Sequence, residues 1–412
     1  MTLIKDTKNT NRFAKFQLNE KTISSLNHLN FINPTPIQEK VLPKALNGAN
    51  IIGIAQTGTG KTLAYGLPMI ESIMKNDGQG LVVVPTRELA DQVGDSLRQV
   101  GRLWRLKCSI IIGGVSQRKQ VSSLKNNPHI IIATPGRLLD LINQNILNLH
   151  QISVLTLDEA DRMLDDGFLP EITKILEAAK SVKQKLLFSA TMPKAISSLI
   201  NKFMSDSVKI EVTPQGTTPD KLKHEAFLIP KNDKNQLLKT LLEEYNNDSV
   251  LIFTRTKYGA KKLARDIRNM GHTAAEIHSN RTQAQRKTAL KGFADWKFRI
   301  LVATDIASRG IDVANIGLVI NFDLPDQLDD YVHRVGRTGR AGKEGKAISF
   351  VIPPQKHSIK KIEKLIGTNI STSRSKYSLD ENVDDLNQFG RKKRNNKKYY
   401  HSNKKFYKRD KK

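Results

Sequence analysis

The stretch IIGIAQTGTGKTLAYGLPMIESIM, residues 51–74, joins an apolar run to a glycine-rich loop and then to a helical pattern. This strand–loop–helix order is the context in which a glycine-rich loop binds phosphate groups. Gly58 and Gly60 allow backbone N–H groups to turn inward around phosphate oxygens. Lys61 supplies a positive charge to the β- and γ-phosphates, and the hydroxyl of Thr62 can ligate Mg²⁺. The stretch therefore predicts a site for a nucleoside triphosphate.

One position of this loop departs from the general pattern, because Ala55 stands where the first glycine is usual. A glycine-rich turn with a surface lysine is the alternative interpretation, and the strand and helix on either side disfavour it. The loop residues expected at the nucleotide are Ala55, Gln56, Thr57, Gly58, Thr59, Gly60, Lys61 and Thr62.

The second half of the site is predicted in VLTLDEAD, where acidic residues follow the apolar run 154–157. Asp158 can hold Mg²⁺, usually through water, and Glu159 can orient and deprotonate the attacking water. We interpret Asp161 as a structural or coupling residue. Acidic residues also favour a helix N-terminus, which is the alternative interpretation. The glycine-rich loop roughly 100 residues upstream favours the catalytic role.

Short apolar runs alternate with helical patterns along most of the chain, which is typical of doubly wound α/β domains with parallel strands. The runs form two series separated by TPQGTTPD, residues 213–220, which we interpret as a linker. We therefore expect one α/β domain over 1–212, a second over 221–370 and a tail over 371–412. The predicted strands are 51–55, 81–84, 109–112, 130–133, 154–157, 186–188 and 209–212, then 226–229, 250–253, 274–277, 300–303, 318–321 and 348–352.

The net charge of +27 indicates an anionic partner, with nucleic acid the leading class, because Lys and Arg release counterions from phosphate backbones. Residues 391–412 hold twelve Lys and Arg and a single acidic residue. Since the tail has few aliphatic residues, we expect it to be disordered. Aromatic side chains between these cations can stack on unpaired bases, whereas a merely solubilising tail is the alternative. They are Tyr399, Tyr400, Phe406 and Tyr407.

Several classes of protein are excluded or disfavoured by the composition. A single cysteine, Cys108, excludes a disulfide scaffold and a structural zinc cluster and is typical of a reducing compartment. No apolar run approaches the roughly 18 residues of a membrane helix. The first residues, MTLIKDTKNTNRF, lack the apolar core of a signal peptide. We therefore expect a cytoplasmic protein without a membrane partner.

The motifs together resemble those of DEAD-box RNA helicases of superfamily 2, over about residues 16–366. The resemblance implies two tandem RecA-like doubly wound parallel-sheet domains, followed here by a disordered basic C-terminal tail. It also implies ATP and Mg²⁺ as cofactors, RNA as partner, and RNA-dependent ATP hydrolysis coupled to local unwinding of short duplexes. The motifs, in order, are Gln38 in PTPIQ, then AQTGTGKT, PTRELA, TPGR, DEAD, SAT, IFTRT, TDIASRGID and HRVGRTGR.

By this resemblance, Gln38 reads the hydrogen-bonding edge of adenine and Phe16 stacks on its ring, with Phe13 as the less favoured aromatic. A mismatched base would leave buried polar groups unpaired, which explains a preference for ATP. Asn30 replaces a common glycine, and because Asn also adopts the left-handed conformation we expect no loss of function. Ser308 replaces a common alanine, and we expect it to be tolerated.

The resemblance also assigns coupling residues and arginine fingers. Ser189 and Thr191 connect ATP hydrolysis to strand separation, although a helix cap before Pro193 is the alternative. His333 links the acidic motif to the second domain. The guanidinium groups of Arg337 and Arg340 suit the spread charge of a transferring phosphoryl group, with a generic basic patch as the alternative. Asp305 and Asp312 match residues near the ribose and the fingers.

RNA is expected to be held by residues of low charge density in both domains. Turns and helix N-termini bind phosphates through backbone donors, and such contacts are independent of sequence. By resemblance, contacts to the 2′-hydroxyl favour RNA over DNA. The expected residues are Thr86, Arg87, Gly113, Gly114, Thr134, Gly136 and Arg137 in the first domain and Thr254, Arg255, Gln283, Arg286 and Thr304 in the second.

Because neither domain holds a complete site, we expect ATP and RNA to close the cleft by hinge motion at the linker. A superfamily-2 translocase on DNA and a non-catalytic RNA chaperone or assembly clamp acting through the tail are the alternative functions. Intact catalytic positions disfavour the latter as the sole activity. By analogy we expect a monomeric bacterial member of the RhlE-like branch, with ribosome-assembly or RNA-decay proteins as possible partners.

Overall fold

The computed structural model describes residues 11–56, 58–212, 222–305, 316–339 and 345–374. Several predicted features lie outside these residues: Thr57 of the glycine-rich loop, the linker 213–220, Ser308, Asp312, Arg340 and the segment 375–412. Within the described ranges no helix is both long and apolar enough to cross a membrane.

The first domain is a seven-stranded parallel sheet in the order β3-β4-β2-β5-β6-β1-β7. Its strands are β1 Asn50–Ile54, β2 Gln79–Val83, β3 Cys108–Ile111, β4 Ile130–Ala133, β5 Ile152–Leu157, β6 Gln184–Ser189 and β7 Ser207–Glu211. Its helices are α1 Glu20–His28, α2 Pro36–Ala45, α3 Lys61–Asn76, α4 Arg87–Val100, α5 Gln117–Lys125, α6 Pro135–Asn143, α7 Ala160–Asp165, α8 Leu169–Ala178 and α9 Lys194–Phe203.

The second domain repeats this plan with the order β10-β11-β9-β12-β13-β8-β14, again with parallel pairing. Its strands are β8 Leu222–Leu228, β9 Val250–Phe253, β10 Ala274–Ile277, β11 Ile300–Ala303, β12 Leu318–Asn321, β13 Gly345–Val351 and β14 Ser371–Arg374. Its described helices are α10 Lys234–Glu244, α11 Lys257–Asn269, α12 Gln283–Ala294, α13 Asp329–Val335 and α14 Lys356–Ile366.

The apolar runs form these strands because each central strand is covered by helices on both faces. In β4 and β9, for example, all four residues are buried. Each sheet therefore has hydrophobic clusters on both of its faces, as expected of parallel strands joined by helical crossovers. Every predicted apolar run coincides with a strand to within a few residues, and the predicted fold class of two doubly wound parallel sheets is confirmed.

The predicted start of the tail at residue 371 is wrong by four residues, because Ser371–Arg374 forms β14 and pairs with β8. The segment STSR contains no apolar residue, so the apolar pattern that revealed the other strands was absent. Ile370, which is 6 % exposed, anchors the strand in the core of the second domain. The hydroxyl of Ser371 also donates to the carbonyl oxygen of His224 at 3.2 Å.

The two domains touch through α4 of the first and α12 of the second. Arg286 pairs with Glu88 at 2.8 Å, and the side chains of both are buried. Lys287 pairs with Asp91 at 3.3 Å, and the amide of Gln283 donates to the same carboxylate at 3.3 Å. The charges that hold this interface therefore lie beside the carboxyl ends of both sheets.

Removing β14 should destabilise the second domain. A chain ending at Ile370 loses the backbone pairing of four residues with β8, and each net hydrogen bond contributes about 0.5–1.5 kcal/mol. We expect its thermal midpoint to lie several degrees below that of a chain ending at Arg374, measured by circular dichroism. Equal midpoints for the two truncated chains would show that β14 does not contribute to stability.

Candidate functional site

The glycine-rich loop lies between β1 and α3 and is closed by its own side chains. The Nζ of Lys61, only 6 % exposed, donates to the carbonyl oxygen of Ala55 at 2.8 Å. The hydroxyl of Thr59 donates to the carbonyl oxygen of Gln56 at 2.7 Å. Gly60 has a φ of +90°, and a Cβ there would lie 2.5 Å from the Nε2 of Gln38. Glycine is therefore required at this position, and the lysine ammonium already sits over the loop where phosphate oxygens would replace the carbonyl.

Gln38 joins the glycine-rich loop to the segment that precedes α2. Its Oε1 accepts from the N–H of Thr35 at 2.9 Å, and its Nε2 donates to the carbonyl oxygen of Gly60 at 3.0 Å. The first contact belongs to the capping box that starts α2. Gln38 is 2 % exposed, so its amide is held at the edge of the loop by buried bonds.

The aromatic residues upstream differ in exposure. Phe13 is 1 % exposed and belongs to the core, whereas Phe16 is partly exposed with its ring centroid 6.2 Å from that of Phe13. Only Phe16 of the two is therefore accessible for stacking. Asn30 has a φ of +58°, which is the left-handed conformation predicted for it.

Asp158 follows β5 in a buried position with two hydrogen-bond donors. The hydroxyl of Tyr65 donates to its Oδ2 at 3.0 Å, and the N–H of Glu159 donates to its Oδ1 at 2.9 Å. Burial, opposed by the charge of Lys61 and aided by that of Glu159, raises the pKa of Asp158 to about 6. Burial and the nearby Asp158 charge also raise the pKa of Tyr65 well above its usual value.

Tyr65 was missed by the sequence analysis, although it lies one turn after the predicted residues Lys61 and Thr62. It is completely buried and also hydrogen bonds with Thr62, so it connects this hydroxyl with Asp158. Its only signal in the sequence was a phenol in a largely aliphatic helix. A buried Tyr hydroxyl needs a polar partner, and that rule alone could have indicated its role.

The side chains around Asp158 show whether oxygen ligands are in place for the predicted Mg²⁺. No cluster of three or more His, Cys, Asp or Glu side chains suited to a metal occurs among the described residues. Mg²⁺ at a nucleotide is usually held by one or two protein oxygens, with phosphates and waters as the other ligands. The carboxylate of Asp158 and the hydroxyl of Thr62, linked through Tyr65, fit such an ion.

Glu159 has an unusual backbone conformation. Its φ of +52° is left-handed, which costs a residue with a Cβ about 1–2 kcal/mol. Its carboxylate is 4 % exposed and pairs with Arg162 at 3.3 Å. Arg162 is 2 % exposed and was also missed, although it directly follows DEAD in the sequence. Backbone strain of this kind is found at functional sites.

Asp161 links the DEAD and SAT segments directly. Its Oδ2 accepts from the N–H groups of Ala190 and Thr191 at 3.0 and 2.8 Å and from the hydroxyl of Thr191 at 3.0 Å. The N–H of Asp161 in turn donates to the hydroxyl of Ser189 at 3.2 Å. This geometry supports a coupling role, and no side chain caps α9 after Pro193, contrary to the alternative.

A small cavity contains groups from both domains. Arg162 of the first domain reaches it. The guanidinium Nε of Arg337, which is 3 % exposed, donates to the carbonyl oxygen of His333 at 3.2 Å. The predicted finger and the predicted linking histidine therefore lie opposite the acidic motif. The residues that line the cavity are Arg162, Phe253, Asp305, Asp330, His333, Arg334 and Arg337.

Arg334 organises the second-domain side of this cavity. It is 2 % exposed, and its guanidinium makes a bidentate pair with Asp305 at 2.5 and 2.6 Å. It also donates to the Oδ1 of Asn321 at 3.0 Å and lies 4.9 Å from the ring centre of Phe253. Asp305 thus lines the same cavity as Arg337, the predicted finger, and its carboxylate is held by a buried arginine.

Most of the predicted RNA residues line one groove of about 640 Å³ between the domains. A Cβ on Gly114 beside it would clash with the guanidinium of Arg87, so this glycine allows the close packing of the turn. The predicted residues in the lining are Thr86, Arg87, Gly113, Thr134, Gly136 and Arg137 from the first domain and Arg286 from the second.

Gln283 lies at the start of α12, where it contacts Asp91, and three further predicted RNA residues lie beyond that lining, at the carboxyl ends of β9 and β11. The hydroxyl of Thr254 donates to the carbonyl oxygen of Thr256 at 3.4 Å, and Thr304 is 9 % exposed. Arg255 is exposed and pairs with Asp326 at 3.1 Å. Because the strands of a parallel sheet all end at the same edge, these residues lie along the edge of the second sheet that faces the groove.

Asp158→Asn should stabilise the protein without ligand. Because the native pKa of about 6 exceeds the unfolded value of 3.8, the native state loses about 1–3 kcal/mol when this carboxyl ionises. We expect a higher melting temperature for the variant at pH 7.5, and a difference that shrinks as the pH falls through 6. Asp161→Asn serves as the contrast and should lower the melting temperature, because its carboxylate accepts several hydrogen bonds. A melting temperature of Asp158→Asn below that of the parent at pH 7.5 would contradict the conclusion that the ionised carboxylate of Asp158 destabilises the folded protein.

Comparisons with known proteins agree with this arrangement. The family model for DEAD/DEAH box helicases matches residues 35–199, and the model for the helicase conserved C-terminal domain matches residues 233–342. RNA helicase CrhR of Synechocystis sp. is 40% identical over 363 residues, which cover 88% of this chain and 74% of that protein. DEAD-box ATP-dependent RNA helicase CshA of Bacillus cereus is 38% identical over 354 residues, which cover 85% of this chain and 67% of CshA.

Solved structures show the same architecture over both domains. S. cerevisiae Dbp5 bound to RNA and ADP BeF3 superposes with a TM-score of 0.80 at 28% identity, over 92% of this chain and 97% of that one. A score of this size over both sheets indicates that the two domains are also similarly arranged. With the family models, the relatives and the fold in agreement, the chain belongs to the family of DEAD-box ATP-dependent RNA helicases.

Proposed function

We propose that this chain hydrolyses ATP in response to RNA and separates short RNA duplexes, or remodels RNA–protein complexes, by closing its two domains on both ligands. The observation that carries the proposal is the shared cavity of Arg162, His333 and Arg337, which joins the acidic motif of one domain to the predicted finger of the other. The groove lined by Arg87 and Arg286 likewise belongs to both domains. Closure would complete the ATP site and the RNA site together.

In the ATP site, each residue acts on a different part of the reaction. Lys61 would exchange the carbonyl oxygen of Ala55 for the β- and γ-phosphates. Glu159 would orient the attacking water and accept its proton, and Arg337, with Arg340, would compensate charge that develops on the γ-phosphoryl group. Mg²⁺, held by Asp158 through water and by Thr62, would neutralise charge on the phosphate oxygens when bound.

In the RNA site, the contacts available are to phosphate and sugar. Thr86 and Thr134 precede α4 and α6, so backbone donors at the start of these helices point to the groove. Arg87, Arg137 and Arg286 add charge there. Such contacts carry no base identity, so binding should not depend on sequence. A closed groove that bends one strand would expel the complementary strand.

Asp161 would couple the ATP site to the RNA site. Its carboxylate binds the turn that contains Thr191, and the neighbouring Glu159 and Arg162 face the cavity shared with the second domain. A shift of the DEAD segment on hydrolysis of the γ-phosphate would therefore be passed to the SAT turn directly, through the hydrogen bonds of Asp161. Phosphate release would reopen the domains.

Several finer assignments remain predictions. They are membership of the RhlE-like branch, a cytoplasmic location, a monomeric state, and a role with ribosome-assembly or RNA-decay proteins. RNA annealing through residues 391–412 is the second candidate function, favoured by the interleaved cations and aromatic residues of that segment.

Glu159→Gln should abolish ATP hydrolysis while ATP-dependent RNA binding persists. Loss of a general base typically costs about 10²–10⁴ in rate, whereas phosphate and RNA contacts made by other residues are unchanged. RNA-stimulated phosphate release and RNA binding with ATP are the two measurements. Glu177→Gln is the control, because Glu177 is an exposed carboxylate of the same domain that pairs with the surface residue Lys202. Hydrolysis at the parent rate in Glu159→Gln would disprove its assigned role, and stimulation by DNA as strong as by RNA would favour a DNA translocase.

Deleting residues 391–412 should weaken RNA binding more than it lowers ATP turnover at saturating RNA. Each lost phosphate contact reduces the slope of log K against log salt by about 0.7 for a single strand. Replacing Tyr399, Tyr400, Phe406 and Tyr407 with Ser keeps the charge and should preserve that slope. An unchanged salt slope after the deletion would show that the segment does not contribute to RNA binding. Strand annealing without ATP that is lost with the segment would establish the second candidate function.

A further inference from the structure

The exposed face of α11, in the second domain, carries an excess of positive charge. The helix reads KYGAKKLARDIRN and has five cations but one acidic residue, Asp266. Arg265 pairs with Asp266 and Arg268 with Glu276. Lys257, Lys261 and Lys262 form no salt bridge with any other residue that the structure describes. Ordinary surface helices balance such charges, so these lysines are available for an external anion.

The first turn of α11 also exposes an aromatic ring. Tyr258 is 71 % exposed, and the Nζ of Lys257 lies 5.3 Å from its ring centre. The helix begins after Thr256, whose hydroxyl accepts from the N–H of Gly259 at 3.0 Å. A cation beside an accessible ring is the combination that binds single-stranded nucleic acid through phosphate contact and base stacking.

A buried histidine lies beside these lysines. His278 follows β10 and is 4 % exposed, and neither of its ring nitrogens has a hydrogen-bond partner among the described residues. Burial and the positive charges of Arg281, Lys261 and Lys257 lower its pKa, while Glu276 opposes them. An imidazole without a partner in a buried position is costly, and even the neutral ring has one N–H to donate.

The charges around His278 remain positive after their internal pairing. Glu276 is 6 % exposed and accepts from both Arg281 and Arg268. Burial raises the pKa of Glu276, but its hydrogen bonds with Arg281 and Arg268 lower it by more. The net shift of the pKa is downward, so this single carboxylate stays ionised. Two arginines share it, and Lys257 and Lys261 add positive charge that no carboxylate pairs with in the described part of the chain.

This cluster adjoins the RNA groove but lies outside it. Ser279, the residue after His278, lines the groove, whereas Lys257, Tyr258 and Lys261 do not. β10 is the edge strand of its sheet, and α12, which contacts the first domain, follows it in the chain. A strand that leaves the groove past Ser279 would therefore meet the cluster next.

We propose that Lys257, Lys261, Arg281 and His278 form a phosphate-binding site for the RNA strand that leaves the groove, with Tyr258 stacking on a base of that flanking segment. This inference rests on the proposed function. It adds a contact surface that would lengthen the bound RNA without taking part in hydrolysis. The site recognises a phosphate group, and RNA is the proposed source of that group.

The test uses oligouridylates of increasing length, bound to the full chain in the presence of a non-hydrolysable ATP analogue. For the parent, affinity should rise as the RNA becomes long enough to reach α11. In the double variant Lys257→Gln/Lys261→Gln, affinity for long RNA should fall about tenfold and the salt slope by about 1.4, whereas affinity for the shortest bound RNA stays unchanged. Tyr258→Ala should lose about fivefold or more on long RNA only.

Lys360→Gln/Lys361→Gln is the matched control, because it removes the same charge from an exposed helix at the opposite edge of the same sheet. Equal losses in the two double variants would overturn the proposal, since they would reflect general charge. A loss that inorganic phosphate reproduces, with no dependence on RNA length, would assign the site to a free anion and overturn RNA as its source. If the parent binds no RNA of any length, the proposed function itself fails. If the parent shows the length dependence and the α11 variant retains it, only this inference fails.

Discussion

Parallel strand pairing places the carboxyl ends of all the strands in a sheet at one edge, and the functional chemistry of this protein depends on that constraint. In the first domain the glycine-rich loop follows β1, Asp158 follows β5, and Ser189 ends β6. The groove residues follow β2, β3 and β4 at the same edge. Residues that are far apart in the chain therefore become neighbours without any special local structure, and the second sheet supplies a matching edge.

Three residues of the ATP site have an energetically unfavourable protonation, backbone conformation or hydrogen bonding. Asp158 carries a raised pKa because it is buried, Glu159 is left-handed, and the Nε of Arg162 has no hydrogen-bond partner among the described residues. Each of these is unfavourable alone, and the surrounding apolar clusters outweigh them. In the proposed mechanism these are the groups that would engage ATP and the second domain, whereas a relaxed site would satisfy the same atoms within the protein.

Much of the fold was predictable because buried parallel strands produce apolar runs, and such runs located thirteen of the fourteen described strands. The exception, β14, is an edge strand of polar residues whose pairing comes from backbone groups, which leave no trace in side-chain pattern. Most predicted site residues were motif residues of special chemistry, such as Lys61 and Asp158. Tyr65 and Arg162 were missed because their importance comes from what they touch after folding.

By itself, the sequence determined the two α/β domains, the glycine-rich loop, the acidic motif and the family resemblance. These follow from apolar periodicity and from residue types at short spacing, which depend on local chemistry. Only the tertiary structure decided that Arg337 shares a cavity with Arg162, that Arg286 pairs with Glu88, and that His278 lies buried near the lysines of α11. Such contacts join residues distant in the chain, and their energies depend on burial and distance, which no spacing along a sequence can specify.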